Sequence, residues 1–327
     1  MCSSAHHPRG DRDDGTMGDS EGMMRTEIRL SIIGPGRVGQ TLGWALARRG
    51  FPIIDVLGRD ERRTENAVAF IGSGRGCTRW DELSEEWDLL LVSVNDDALT
   101  EVAERIAHRF PSLRGKTALH TSGFHSSRIL HPLKDRGAAV GSLHPLMTFS
   151  EPSVARERLS GISYAVEGDA SAVAQAHRLV AALEGRAFSI GPEQKPLYHA
   201  AAVLACGHVV ALLETAFAVL DAIGLEPASA RRAFDPLIRE TIENVLREGG
   251  RRALTGPFAR GDARVIAAHL AALADVDREG EFVDVYACLG RRALHLASLT
   301  PTHQAAIRAM LTSDSTDLLR KETTDDR

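Results

Sequence analysis

The chain has 327 residues, 43% of them apolar, 5% aromatic and 25% charged, with a formal net charge of −5. This is the composition of a folded globular chain of about two domains, and its mild acidity argues against a general nucleic-acid binder, which is strongly basic as a rule. Four dispersed cysteines (Cys2, Cys77, Cys206, Cys288) form no CxxC pair and point to a reduced, cytoplasmic chain, and no apolar run reads as reaching the roughly 20 residues of a membrane span.

Residues 1–24 are rich in Asp, Gly and Ser and lack apolar periodicity, so they read as a disordered tail without a secretory h-region. From residue 25 to 190 the pattern is that of a doubly wound α/β sheet. A β-branched run, Ile28 to Ile33, leads into Gly34-Pro35-Gly36-Arg37-Val38-Gly39 and then into a helical pattern that ends at Gly50. Strand, GxGxxG and helix in that order form a dinucleotide-binding turn. Gly34 allows the tight turn, Gly36 lets backbone approach a pyrophosphate, and Gly39 lets helix pack on strand. The helix N-terminus, with Arg37 and Val38 in its first turn, offers free N–H groups to phosphate.

The second strand, Ile53 to Leu57, carries no acidic residue at its end for a ribose 2′-hydroxyl, as an NAD site would. It runs into Gly58-Arg59-Asp60-Glu61-Arg62-Arg63. Arg59 stands where a 2′-phosphate would lie, and a guanidinium grips phosphate bidentately, so NADP(H) is the expected cofactor. Asp60 is the residue that could reverse that preference.

Further strands are expected at 89–94, 117–120, 138–143, 162–166 and 187–190, with a helix at 98–109 capped by Asp96 or Asp97. Continuous apolar runs between helices imply a mostly parallel sheet covered on both faces. Ligands in such sheets lie beyond the carboxyl ends of the strands. Ser93, Val94, Asn95 and Thr121 are therefore expected to line the nicotinamide side. His120, Ser122 and His144 fall nearby.

Residues 191–312 read as an all-α domain, and 313–327 as a flexible polar tail. A long helix is expected from Pro196 to Gly224, apolar nearly all round and hence buried in a bundle or a homodimer. Three more helices follow near 228–247, 262–275 and 280–298. Only four lysines occur among 39 basic residues. One of them, Lys195, shares a helix face with His199. A lysine desolvated there would have a depressed pKa and could donate a proton to a nascent alkoxide. Lys195, His199, Ser122 and His144 are the candidate catalytic residues, and Arg260 is the candidate for a substrate carboxylate. No histidine, cysteine or carboxylate spacing makes a metal site.

Four segments, GPGRVG, SLHPLMTF, KPLYHAAAVLACGH and LTGPFARGD, together resemble one bacterial family: Rossmann-like oxidoreductases with a C-terminal helical domain known as domain of unknown function 2520. The likeness spans roughly residues 27–300. Its wider relatives are β-hydroxyacid dehydrogenases, ketopantoate reductases and pyrroline-5-carboxylate reductases. The resemblance implies NADP-dependent reduction, a helical domain like that of 6-phosphogluconate dehydrogenase that forms a homodimer, and an active site between domains. Lys195 matches the lysine of ketopantoate reductases, while His199 replaces their asparagine one turn later. Cys206-Gly207 replaces the Ser-Asn common in the family. The expected function is NADPH-dependent reduction of a small carbonyl or imine, a 2-oxo acid first, without nucleic-acid or membrane partners. The alternative is an NADP(H)-binding regulatory or scaffold protein without turnover.

Overall fold

The computed structural model describes residues 28–277 and 279–312. The two expected tails therefore lie outside the described residues. The chain divides between His199 and Ala200 into two compact units.

The first unit is built on one eight-stranded sheet, in the order β3-β2-β1-β4-β5-β6-β7-β8. The strands are β1 (Leu30–Ile33), β2 (Ile53–Leu57), β3 (Arg75–Cys77), β4 (Leu89–Val92), β5 (Thr117–His120), β6 (Ala139–Pro145), β7 (Ser163–Gly168) and β8 (Arg186–Ser189). All neighbours pair in parallel except β6 and β7, which are antiparallel. Every residue of β1, β4 and β5 is buried, including the polar Ser31, Thr117 and His120. That is why these strands show no alternation of apolar and polar residues, and why β4 is wholly apolar: helices cover both of their faces. One core layer gathers Leu30, Ile32, Leu42, Leu46 and Leu91, and the other Ile33, Leu90, Val92, Ile106 and Phe110.

Strand β3 was not expected. It is three residues long, two of them exposed, so it has no apolar run to announce it. Register supplies it: Arg75 pairs with Asp55 of β2, and its guanidinium meets the buried Asp55 carboxylate at 2.9 Å. The helix expected at 98–109 begins at Leu99, after a tight turn Asp96–Ala98. Neither Asp96 nor Asp97 caps it through its side chain.

The second unit is helical, and no strand occurs among its described residues. Its main helices are Gly207–Ala222, Pro227–Glu248, Ala263–Val276, Glu281–Leu294 and Pro301–Met310. The last was not expected; Thr300 caps it and Pro301 opens it. Ile266, Leu270, Val283, Ala287 and Leu294 form its core. Leu254 to Asp262 is not plain loop, since it holds a short helix, Gly256–Arg260.

The long apolar helix differs from expectation in three ways. It is two helices, Lys195–Ala205 and Gly207–Ala222, broken at Cys206 (φ −124°, ψ −79°). Gly207 is a poor helix former, which makes that boundary cheap. Its apolar surface is largely open: Lys195 and Phe217 are its only buried residues in the single chain. Finally, Pro192–Ala222 is long and apolar enough, by length and composition, to cross a membrane, contrary to the reading that no run reaches that length.

Candidate functional site

The nucleotide turn is assembled at the carboxyl ends of β1, β2 and β4. Gly34 takes a left-handed φ of 85°. A Cβ there would lie 2.5 Å from the Ser93 carbonyl oxygen. Gly39 faces the turn across the first helical turn, and a Cβ on it would lie 2.5 Å from the Gly34 carbonyl oxygen. Gly36 is different, since a Cβ there would meet nothing within 4 Å. It precedes helix α1 (Arg37–Arg48), and no side chain caps that helix. The first amides of α1 therefore stay available to an anion. Gln40 donates to the Pro35 carbonyl at 2.8 Å and pins the turn.

At the end of β2, Arg59, Arg62 and Arg63 are exposed and form no ion pair among the described residues. Asp60 is occupied: its carboxylate caps helix α2 (Glu61–Ile71) by accepting from the Arg63 amide at 2.8 Å. Arg37 is also exposed and unpaired among the described residues. A pyrophosphate fits the open side of Gly36, and a 2′-phosphate fits the arginines. The chain thus has the donor set of an NADP(H) site, with Gly34, Pro35, Gly36, Arg37, Val38 and Gly39 forming the turn.

Ser93, Val94 and Asn95 follow β4, and Thr121 follows β5. The Ser93 amide donates to the Ile33 carbonyl at 2.8 Å, and the Thr121 amide to the Val92 carbonyl at 3.1 Å. Both segments thereby continue the sheet's ladder outward. Thr121 and Ser93 join through their hydroxyls at 3.3 Å.

Beyond β5 and β6 lies a cluster of proton-bearing groups, all within the first unit. Register places His120, Ser142 and Glu167 in one row across β5, β6 and β7, and all three are buried. Glu167 accepts from the Ser127 amide at 2.5 Å and the Ser127 hydroxyl at 2.9 Å. Lys195 is 0% exposed. It donates to the Ser122 carbonyl at 2.6 Å and to the Ser142 hydroxyl. Burial pushes its pKa down to about 8, against the upward pull of Glu167 and Asp96.

His144 lies against Tyr198, with Nδ1 at 2.7 Å from the phenol oxygen. Burial, then the nearby Lys195 and His199, pushes the His144 pKa down to about 4, while Asp96 opposes. Burial pushes Tyr198 up to about 12. His199 stands edge-to-face with His144 and with Phe124, ring centroids 6.3 Å apart in each case. Gly123 makes this convergence possible: a Cβ there would lie 2.7 Å from His199 Cδ2 and 2.8 Å from His144 Nε2.

The structure thus brings Lys195, His199, His144 and Ser122 together, with qualifications for two of them. Ser122 contributes its carbonyl; its hydroxyl accepts from the Phe124 and His125 amides and shapes the loop. Lys195 is walled off from solvent, whereas Tyr198 and His199 are half-buried. Arg260 belongs to the second unit and is ion-paired with Asp262 at 2.8 Å. Sequence reasoning missed Tyr198, Ser142 and Glu167. Tyr198, one turn on from Lys195, was the one with a readable signal. Among the described residues, no group of three or more His, Cys, Asp or Glu side chains could hold a metal ion.

Residues 15–145 match the family model of a Rossmann-like domain, and residues 162–293 that of a domain of unknown function, DUF2520. The chain is a Rossmann-like protein with a DUF2520 domain. No curated protein matches it. Among solved structures it is similar to a Bacteroides fragilis protein assigned as an NADP oxidoreductase, with TM-score 0.66, 25% identity, and coverage of 82% of this chain and 98% of that one. It shares its fold with a reductive aminase from Aspergillus terreus in complex with NADPH and ethyl-5-oxohexanoate, at TM-score 0.56, 16% identity, and coverage of 88% and 93%. It also shares it with an imine reductase from Myxococcus stipitatus in complex with NADP+, at TM-score 0.58, 16% identity, and coverage of 82% and 94%. The DUF2520 match begins just before β7, so it takes in the Lys195 turn, while the Rossmann-like match ends at Pro145 and takes in His144.

Proposed function

We propose that this DUF2520 protein is an NADPH-dependent reductase of a small carbonyl or imine compound. One observation carries the reading: a single sheet holds an open, uncapped nucleotide turn flanked by arginines that are unpaired among the described residues, and a cluster of proton-bearing side chains at the same carboxyl edge. The likeness to the B. fragilis protein assigned as an NADP oxidoreductase supports it. When bound, NADPH supplies the hydride for the substrate carbon.

The chain's own residues do the rest. Gly36 and the first amides of α1 hold the pyrophosphate, and Arg59 holds the 2′-phosphate. Ser93 to Asn95 and Thr121 to Gly123 line the nicotinamide side. Lys195 is the general acid: it is charged at neutral pH, yet its lowered pKa lets it release a proton to an alkoxide or amide anion. Within this class a 2-oxo acid is the first substrate to assay, on the resemblance of Lys195 to the ketopantoate reductase lysine.

The test is nucleotide binding followed by turnover. NADPH and NADH are titrated by fluorescence against the parent chain and Arg59→Ala. NADPH should bind more tightly than NADH, and the variant should lose about 10- to 100-fold for NADPH only, the worth of a charge-assisted phosphate contact. Pyruvate, 2-oxoisovalerate and 1-pyrroline are then screened for NADPH oxidation. Binding of neither nucleotide defeats the reading. Binding without turnover of any carbonyl or imine moves the protein to the regulatory class.

A further inference from the structure

His144 presents two nitrogens to two different surroundings. Nδ1 meets the Tyr198 hydroxyl at 2.7 Å. Nε2 faces Gly123, where even a methyl group would come within 2.8 Å, and it makes no hydrogen bond among the described residues. A neutral imidazole carries one proton, and the hydrogen bond at one nitrogen decides which nitrogen carries it. The phenol's only hydrogen bond among the described residues is the one to His144. If the hydroxyl donates to Nδ1, the ring proton sits on Nε2 and points to the end of β5.

From this geometry we propose that Tyr198 is a positioning residue: its hydroxyl donates to His144 Nδ1, and so fixes His144 as the tautomer whose Nε2–H is aimed past Gly123 to donate a hydrogen bond to the substrate's carbonyl oxygen or imine nitrogen. The role at substrate rests on the reductase reading above; the tautomer does not. The electrostatics agree with it. The ring is held neutral by burial first, then by Lys195 and by the neighbouring His199, with Asp96 the opposing carboxylate. Burial keeps Tyr198 protonated, and hence able to donate. A neutral imidazole is a preorganised donor that needs no ionisation before reaction.

Tyr198 is also held in place independently of this bond. Its ring stands edge-to-face with Phe188 at 5.9 Å, so Tyr198→Phe keeps the packing and removes only the hydroxyl. Gly123 is the complementary device, because a Cβ there would collide with both imidazoles. Sequence spacing gives no hint of this arrangement, since His144 and Tyr198 are 54 residues apart.

The experiment is nitrogen NMR of histidine-labelled protein, with His144 assigned through His144→Gln, run beside steady-state kinetics on the same samples. In the parent chain His144 should be almost wholly the Nε2–H tautomer and stay neutral at pH 6. In Tyr198→Phe it should become a mixture of tautomers. With pyruvate, 2-oxoisovalerate or 1-pyrroline as the probe, the variant's kcat should fall in proportion to the Nε2–H population it has lost, about two- to several-fold, with NADPH affinity unchanged. A parent chain carrying the Nδ1–H tautomer, or a tautomer state unmoved in Tyr198→Phe, overturns the proposal. So does an unchanged kcat in the variant. Failure of the parent chain to oxidise NADPH with any probe overturns the reductase reading and the substrate role that rests on it, while the NMR result still reports whether Tyr198 sets the tautomer.

Discussion

Lys195 is the residue whose chemistry is most altered by folding. Among the described residues its ammonium has no carboxylate within ion-pair distance, and it is satisfied by a carbonyl and a hydroxyl. Burial therefore wins over the attraction of Glu167 and Asp96, and its pKa drops from 10.5 to about 8. The unfolded chain then binds more protons than the folded one between pH 8 and 10.5, so stability must rise with pH across that window. Above pH 10.5 the contribution is complete, and it is lost as pH falls through 8. A shift of this size is worth about 3 kcal/mol. Urea denaturation at pH 7.5 and pH 10 should show the parent chain gaining on Lys195→Met by that order as pH rises. A constant difference would mean that the folded-state pKa is not depressed.

At the scale of the element, the glycines of the nucleotide turn have separable jobs. Gly39 is a packing residue, since a methyl there runs into the Gly34 carbonyl oxygen at 2.5 Å and approaches Ser93. Gly39→Ala should cost about 1–3 kcal/mol through overpacking, visible as a lower urea midpoint. Gly36 has open space at its Cβ and an extended backbone (φ −75°), so alanine fits the fold there. Gly36→Ala should leave the urea midpoint unchanged and weaken NADPH binding, because the methyl occupies the side a pyrophosphate approaches. A drop in the midpoint without loss of binding would reverse this assignment. The Cys206 break is a second lesson at this scale. A continuous apolar pattern does not guarantee a continuous helix, because one Gly is enough to allow a new start.

For the whole molecule, the open apolar surface of the second unit is the dominant fact. Leu204, Val210, Ile223, Leu237 and Leu246 are 60%, 60%, 74%, 59% and 81% exposed in the single chain. Large apolar side chains exposed in this number on the helices of one unit suit an association surface. We propose that it closes against a second copy, as the family resemblance implies. Sedimentation should show a dimer, and Leu246→Glu should shift it toward monomer. A monomeric parent chain at micromolar concentration would defeat the proposal.

What the sequence determined by itself was local. β1, β2, β4 and β5 were legible as short, mostly apolar runs without alternation, and the glycine turn as GxGxxG, because burial on both faces and close backbone approach each demand particular residues at adjacent positions. The lysine and histidine at the start of the long helix were legible because helical spacing alone puts them on one face. Tertiary structure decided the rest. It set Lys195 on the Ser122 carbonyl and Ser142 hydroxyl rather than on a carboxylate, turned the Ser122 hydroxyl to its own loop, and paired Arg260 with Asp262. It also joined His144 to Tyr198 and aligned His120, Ser142 and Glu167 across three strands. Each of these depends on strand register or on contacts between distant segments, which residue spacing along the chain does not encode.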